Sequence, residues 1–222
     1  MPNMAFERDA PEAGEPLNFT LGITEAIPIS MTVPLEIWAV LIAGSSLAIS
    51  ATVAYLTLFR KGHVRMTQPT TVYFGADAGN ADTRSLAPKV YLRTLLYSTS
   101  KRGNVISSLH VRLTRGETAQ TFNVWVYGEE KLKRGSGLYV GEQGVVLNHH
   151  FLPPSDTAFK FVPGKYKVEM FAARVDHPQP QLLWSEILEL PQLLVEQMDK
   201  ELAGGVYFDW QPNSRSYHAH MR

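Results

Sequence analysis

The sequence predicts an all-β protein, an antiparallel β-sandwich preceded by one transmembrane α-helix and followed by a short C-terminal helix. Three observations carry this. No residue from Ile37 to Phe59 is charged. Beyond that stretch, apolar residues recur at every second position in several runs, the period of a half-buried strand. Glycine and proline turn signals separate these runs, with no helical pattern between them. Composition agrees: with 45% hydrophobic and 19% charged residues, the chain is too apolar for a disordered protein. It contains no cysteine, which excludes disulfides, thiolate metal sites and cysteine nucleophiles.

Residues 1–33 mix acids with Pro, Gly and Ala and show no apolar period, so a flexible acidic segment is expected there. Residues 34–59 form the predicted transmembrane helix. The uncharged stretch exceeds the roughly 20 apolar residues needed to cross a hydrocarbon layer. Pro34 suits a helix entry, where its missing N–H is no loss. Trp38 stands near one end and Tyr55 and Phe59 near the other, as rings do at headgroup level. Ser45, Ser46, Ser50 and Thr52 can bond back to the helix backbone. The preceding residues are acidic and the stretch is long, so an uncleaved signal anchor fits better than a cleaved leader.

Charge placement sets the expected orientation. The chain balances 21 Lys and Arg against 21 Asp and Glu. Before the span, however, Glu7, Asp9, Glu12, Glu15, Glu25 and Glu36 face only Arg8, whereas Arg60, Lys61 and Arg65 follow it directly. Basic flanks stay in the cytoplasm, which predicts an outside N-terminus and a cytoplasmic C-terminal domain.

Residues 60–70 read as a basic linker and 71–190 as the sandwich. Leu109, Val111 and Leu113 alternate with His110 and Arg112. Tyr166, Val168, Met170 and Ala172 share a face opposite Lys165, Lys167 and Glu169. Val90–Tyr97, Thr121–Tyr127, Val145–Leu152 and Leu182–Leu190 are also rich in β-branched and aromatic residues. Thr121–Tyr127 is apolar on both faces toward its end and is expected to be a central strand. The segment Phe161-Val-Pro-Gly-Lys-Tyr-Lys-Val168 resembles the turn-to-strand step of immunoglobulin-like and fibronectin-like sandwiches, in which a tyrosine packs near the corner. The resemblance covers about eight residues; it implies an architecture and no function. In 191–222, Leu193, Leu194, Met198 and Leu202 give a helical face over Pro191–Ala203, with Gly204 as its stop. Val206–Trp210 can dock as an edge strand, and Asn213–Arg222 reads as frayed.

A search for chemistry returns no catalytic, cofactor or metal set. His149 and His150 are adjacent on a strand and point to opposite faces, so they cannot readily share a metal. His218 and His220 can lie on one side of an extended tail. Gly135, Gly137, Gly141 and Gly144 lack the Gly-Lys-Ser/Thr of a phosphate loop. Arg134–Val140 has Ser136 and Leu138 where an RNA-binding strand needs stacking rings, so no nucleic acid is expected. Lys101, Arg102, Lys131, Lys133 and Arg134 are candidate contacts to an anionic surface. A cytoplasm-facing domain on a short linker lies beside anionic lipid, where each nearby Lys or Arg contributes about 1 kcal/mol.

The function expected is therefore that of an interaction or scaffolding module near the membrane. Its partners are the bilayer, a protein of unidentified kind and anionic lipid. Two alternatives stand beside it. One is a ligand- or carbohydrate-binding sensor outside the membrane, with Trp125, Tyr127 or Trp184 lining a concave face. The other is an enzyme whose site is assembled from distant residues.

Overall fold

A computed structural model describes residues 34–77, 87–128, 132–155, 157–201 and 204–221. The expected flexible segment 1–33 and the candidate contact Lys131 lie outside the described residues. Internal contacts group the chain into two units, Met1–Ser45 and Ser46–Arg222.

Helix α1 (Leu35–Ala54) opens with the Ile37 N–H on the Pro34 carbonyl at 2.9 Å. A π-helical turn, Tyr55–Phe59, follows and closes with the Arg60 N–H on the Tyr55 carbonyl at 3.0 Å. Two of the four hydroxyls expected to bond back do so: Ser45 Oγ donates to the Ile42 carbonyl at 2.9 Å and Thr52 Oγ1 to Ala48 at 2.8 Å. Thr57 adds a third such bond, to Val53 at 2.7 Å. No residue of α1 is buried. The segment Leu35–Phe59, 25 residues, is long and apolar enough to cross a membrane.

The rest is mostly antiparallel sheet. The strands are β1 (Val64–Met66), β2 (Thr71–Ala76), β3 (Pro88–Ser98), β4 (Asn104–Arg115), β5 (Thr118–Phe122), β6 (Val124–Tyr127) and β7 (Lys133–Arg134). They continue with β8 (Leu138–Val140), β9 (Val145–Leu152), β10 (Gly164–Arg174) and β11 (His177–Leu190). A short helix α2 (Gln192–Met198) precedes β12 (Gly205–Gln211) and β13 (Ser216–Met221). The larger sheet runs β13-β12-β2-β3-β9-β6-β7, with β1 beside β3. The smaller runs β11-β10-β4-β5, with β8 beside β4. Alternating side chains from both sheets form one buried cluster. Within it the Phe74 ring stacks on Phe161 at 5.2 Å and meets Tyr166 and Phe208 edge-on at 5.7 and 5.0 Å. Tyr166 is fully buried; its hydroxyl donates to the Val162 carbonyl at 2.8 Å and accepts the Val162 N–H at 3.0 Å.

Five segments differ from the sequence expectation. Thr121–Tyr127 is not one central strand: it breaks at Asn123, leaving β5 on β4 and β6 on β9, in different sheets. That crossing lets Phe122 and Trp125, three residues apart, both enter the core. Residues 60–70 contain β1, whose Val64 is buried. Helix α2 stops at Met198, well short of Ala203. Val206–Trp210 lies inside β12, which is an interior strand paired on both sides, and most of the tail read as frayed is its edge neighbour β13.

Candidate functional site

The best-built polar arrangement lies where the chain leaves the π-helical turn. Phe59 ends that turn, and Gly62, three residues on, is buried. A Cβ at Gly62 would stand 2.6 Å from Ser100 Oγ, so only glycine fits this approach. Arg174, 7% exposed at the end of β10, holds the segment in place. Its Nη1 donates to the Gly62 carbonyl at 2.8 Å and to Asn104 Oδ1 at 2.7 Å. Asn104 Nδ2 donates in turn to Ser98 Oγ at 2.8 Å. Asp176 Oδ1 stands 3.6 Å from Arg174 Nε and supplies a counter-charge. The His63 N–H donates to Thr99 Oγ1 at 2.9 Å, and the Thr99 N–H to the His63 carbonyl at 3.0 Å. Buried charge persists where donors meet acceptors: the two long-range bonds from Nη1 provide that here, while the buried Nε makes no hydrogen bond among the described residues and has only the Asp176 charge beside it.

Two open clefts flank this clamp. One, of about 270 Å³, is bordered by Lys61, Arg102, Val105, Tyr139, Val175 and Asp176. The other is bordered by Leu56 and Arg60 and by Ser100, Lys101 and Glu142. The β3–β4 turn carries Gly103 at φ 72°, a left-handed position, and the Tyr139 ring lies against it with its hydroxyl donating to the Arg102 carbonyl at 3.2 Å. Three apolar or aromatic side chains stay exposed here: Val175 at 68%, Tyr139 at 60% and Val105 at 43%.

Of the basic residues singled out by sequence, the structure brings Arg60, Lys61, Lys101 and Arg102 to these two clefts. Arg65 is exposed on β1, opposite Tyr97. Lys133 and Arg134 lie elsewhere, on β7 beside Tyr127 and Val126. Sequence reading missed Arg174, Val175, Tyr139 and Val105. The only local signal was a Val-Asp pair between two long strand patterns.

The rings proposed for a concave binding face do not line one. Trp125 and Trp184 are buried in the core, and Tyr127 stacks against Trp125 at 5.0 Å. The outward face of the larger sheet instead carries a row of successive register partners, His220, Tyr207, Tyr73, Tyr91 and His150. Burial pushes the Tyr73 phenol up to about 12. His218 and His220 share a face of β13, with His220 Nε2 3.6 Å from Asp209 Oδ2. Among the described residues no group of three His, Asp or Glu is placed to hold a metal ion.

His149 and His150 do point to opposite faces. His149 is fully buried, and its Nδ1 accepts the Trp125 Nε1–H at 3.2 Å, which leaves the proton on Nε2. Burial, with His150 adding to it, holds the His149 imidazole down at about 4. An unfolded histidine takes up its proton near 6.5, before the folded one does, so the stability contributed is complete above that pH and is lost as pH falls toward 4. Going from pH 7 to 4.5, this residue should cost about 2–3 kcal/mol of unfolding free energy. Urea unfolding at both pH values checks it. The drop should shrink by about 2–3 kcal/mol in His149→Phe, while His150, which burial also holds down at about 4, keeps its own share; an equal drop in both proteins would refute the assignment.

No family model matches the chain, and no curated protein matches its sequence.

Proposed function

We propose that this chain is a single-pass membrane protein whose β-sandwich, of the immunoglobulin-like kind, is held at the membrane surface as an interaction module. The observation that carries the reading is the joint between helix and sheet. A 25-residue apolar helix with none of its α1 residues buried runs within three residues of its end into Gly62, which Arg174 clamps to the sheets. In water, such a helix would expose most of its apolar area at about 25 cal/mol per Å²; in hydrocarbon that cost disappears. The tyrosine whose hydroxyl bonds back to the backbone four residues upstream supports the immunoglobulin-like assignment. The basic flank supports a cytoplasmic domain. For interaction, β11 offers a 14-residue edge strand with Leu182 and Ile187 exposed.

Because the chain has no cysteine, single cysteines can be introduced as reporters. Ser155→Cys should react with an impermeant maleimide only from the cytoplasmic face of membrane vesicles, and the chain should resist alkaline extraction. Labelling from the outer face would overturn the orientation, and release by alkali would overturn the span. A photo-crosslinking residue at Ile187 or Leu182 should give a discrete protein adduct in cells. Absence of any adduct at both positions would count against the interaction role.

A further inference from the structure

We infer that the end of the domain beside the helix is a lipid-docking surface, with Val175, Tyr139 and Val105 entering the headgroup layer and Lys61, Lys101 and Arg102 lying on lipid phosphates. This rests on the reading that Leu35–Phe59 crosses the bilayer.

Three features of the surface point to lipid as its occupant. The first is continuity. Val53, Leu56 and Thr57, in the last turns of the helix, border the same cleft as Thr99, Ser100 and Lys101, so the β3–β4 turn stands where the helix leaves the hydrocarbon. The second is fixity. Gly62 is bonded to Arg174, and the Val175 N–H donates to the Val105 carbonyl at 3.0 Å. The β10–β11 tip is therefore tied to the chain segment emerging from the helix, and only Arg60 and Lys61 intervene. At most about 3.6 Å per residue, that leaves the tip little reach away from the interface.

The third is chemistry. Valine and tyrosine exposed beside lysine and arginine are what an interfacial surface needs: apolar bodies for the acyl boundary, a phenol at headgroup level, and cations for phosphate. The cations at the two clefts, Arg60, Lys61, Lys101 and Arg102, outnumber the acids Glu142 and Asp176. Asp176 is further engaged by Arg174. Of the other candidate cations, Lys133 and Arg134 are on β7 and take no part.

The full-length protein in lipid nanodiscs tests this. Single cysteines at Leu47, Val175 and Leu193 are labelled with an environment-sensitive fluorophore, and a spin-labelled lipid serves as quencher. Leu47 is within the helix, and Leu193 is exposed on α2, next to the end of β10 opposite Arg174. Quenching is expected at Leu47 and Val175 and not at Leu193. The double substitution K101E/R102E should lower quenching at Val175 about twofold or more in discs containing anionic lipid, and less in purely zwitterionic discs. A Val175 label as unquenched as Leu193, with Leu47 quenched, would overturn the docking surface while leaving the span intact. An unquenched Leu47 would overturn the span and the docking surface with it. Equal quenching at Val175 with and without the two substitutions would remove the role given to the cations.

Discussion

Replacing Arg174 by methionine should lower the unfolding free energy by about 3–4 kcal/mol and release the segment that follows the helix. The side chain fills a buried position and makes two charge-assisted hydrogen bonds, to the Gly62 carbonyl and to Asn104. Bonds of that kind contribute about 1.5–3 kcal/mol each. Methionine keeps much of the volume but leaves both acceptors buried without a donor. Lysine should rescue only in part: one nitrogen can serve both acceptors, as Nη1 does here, but an ammonium is more strongly hydrated and sits on a more flexible stem, so it is costlier to bury in place. Urea unfolding in detergent, followed by tryptophan fluorescence, gives the stability. Hydrogen exchange at His63 and Val64 reads the release, and should accelerate far more than exchange in β10. A loss under about 1 kcal/mol would mean that the clamp is ornamental.

Phe74→Ala should be at least as damaging, at about 3–5 kcal/mol. The ring is fully buried in β2 and touches Phe161, Tyr166 of β10 and Phe208 of β12, so it joins both sheets. Removing it loses transfer energy and leaves a void that three rings cannot all collapse into. For a domain of this size the melting temperature should fall by about 10–15 °C. Leucine at the same position should cost less than half as much, because most of the volume is retained. Thermal unfolding by near-UV circular dichroism compares the two. Equal losses for Ala and Leu would point to the aromatic edge contacts, not the cavity, as the dominant effect.

The period-two patterns were the most legible part of the chain. Ser108–Thr114 and Lys165–Ala172 fall in β4 and β10, which pair with each other so that Val111 meets Met170 and Leu109 meets Ala172. Alternation survives there because each strand has one face on the core and the other lined by polar or charged residues such as Arg112, Lys165 and Lys167, which stay exposed. Thr121–Tyr127 misled for the opposite reason. A run apolar on both faces carries no phase, and nothing local says that Asn123 hands the chain from one sheet to the other. The last strand was illegible because Tyr217, Ala219 and Met221 alternate with histidines in a segment too short and polar to stand without β12. The clamp was hidden more deeply. Arg174 and Gly62 are 112 positions apart, and an arginine near a hairpin gives no sign of being buried. The basic residues at the clefts were visible as charge; what could not be read was which of them the turns gather together.

The pairing of β12 with β2 reaches beyond stability. Thr71 Oγ1 donates to Asp209 Oδ1 at 2.8 Å across 138 positions, and Gln68 Nε2 to the Tyr217 hydroxyl across 149. During synthesis β2 emerges among the earliest strands of the domain, yet one of its two edges stays open until Gly205–Gln211 follows. Long-range closure of this kind is entropically slow and leaves an unpaired edge available to other chains. If the helix inserts as proposed, the waiting edge is confined near the bilayer. A ribosome that stalls before Gly205 would, on that reading, present the membrane with a tethered, adhesive half-sheet.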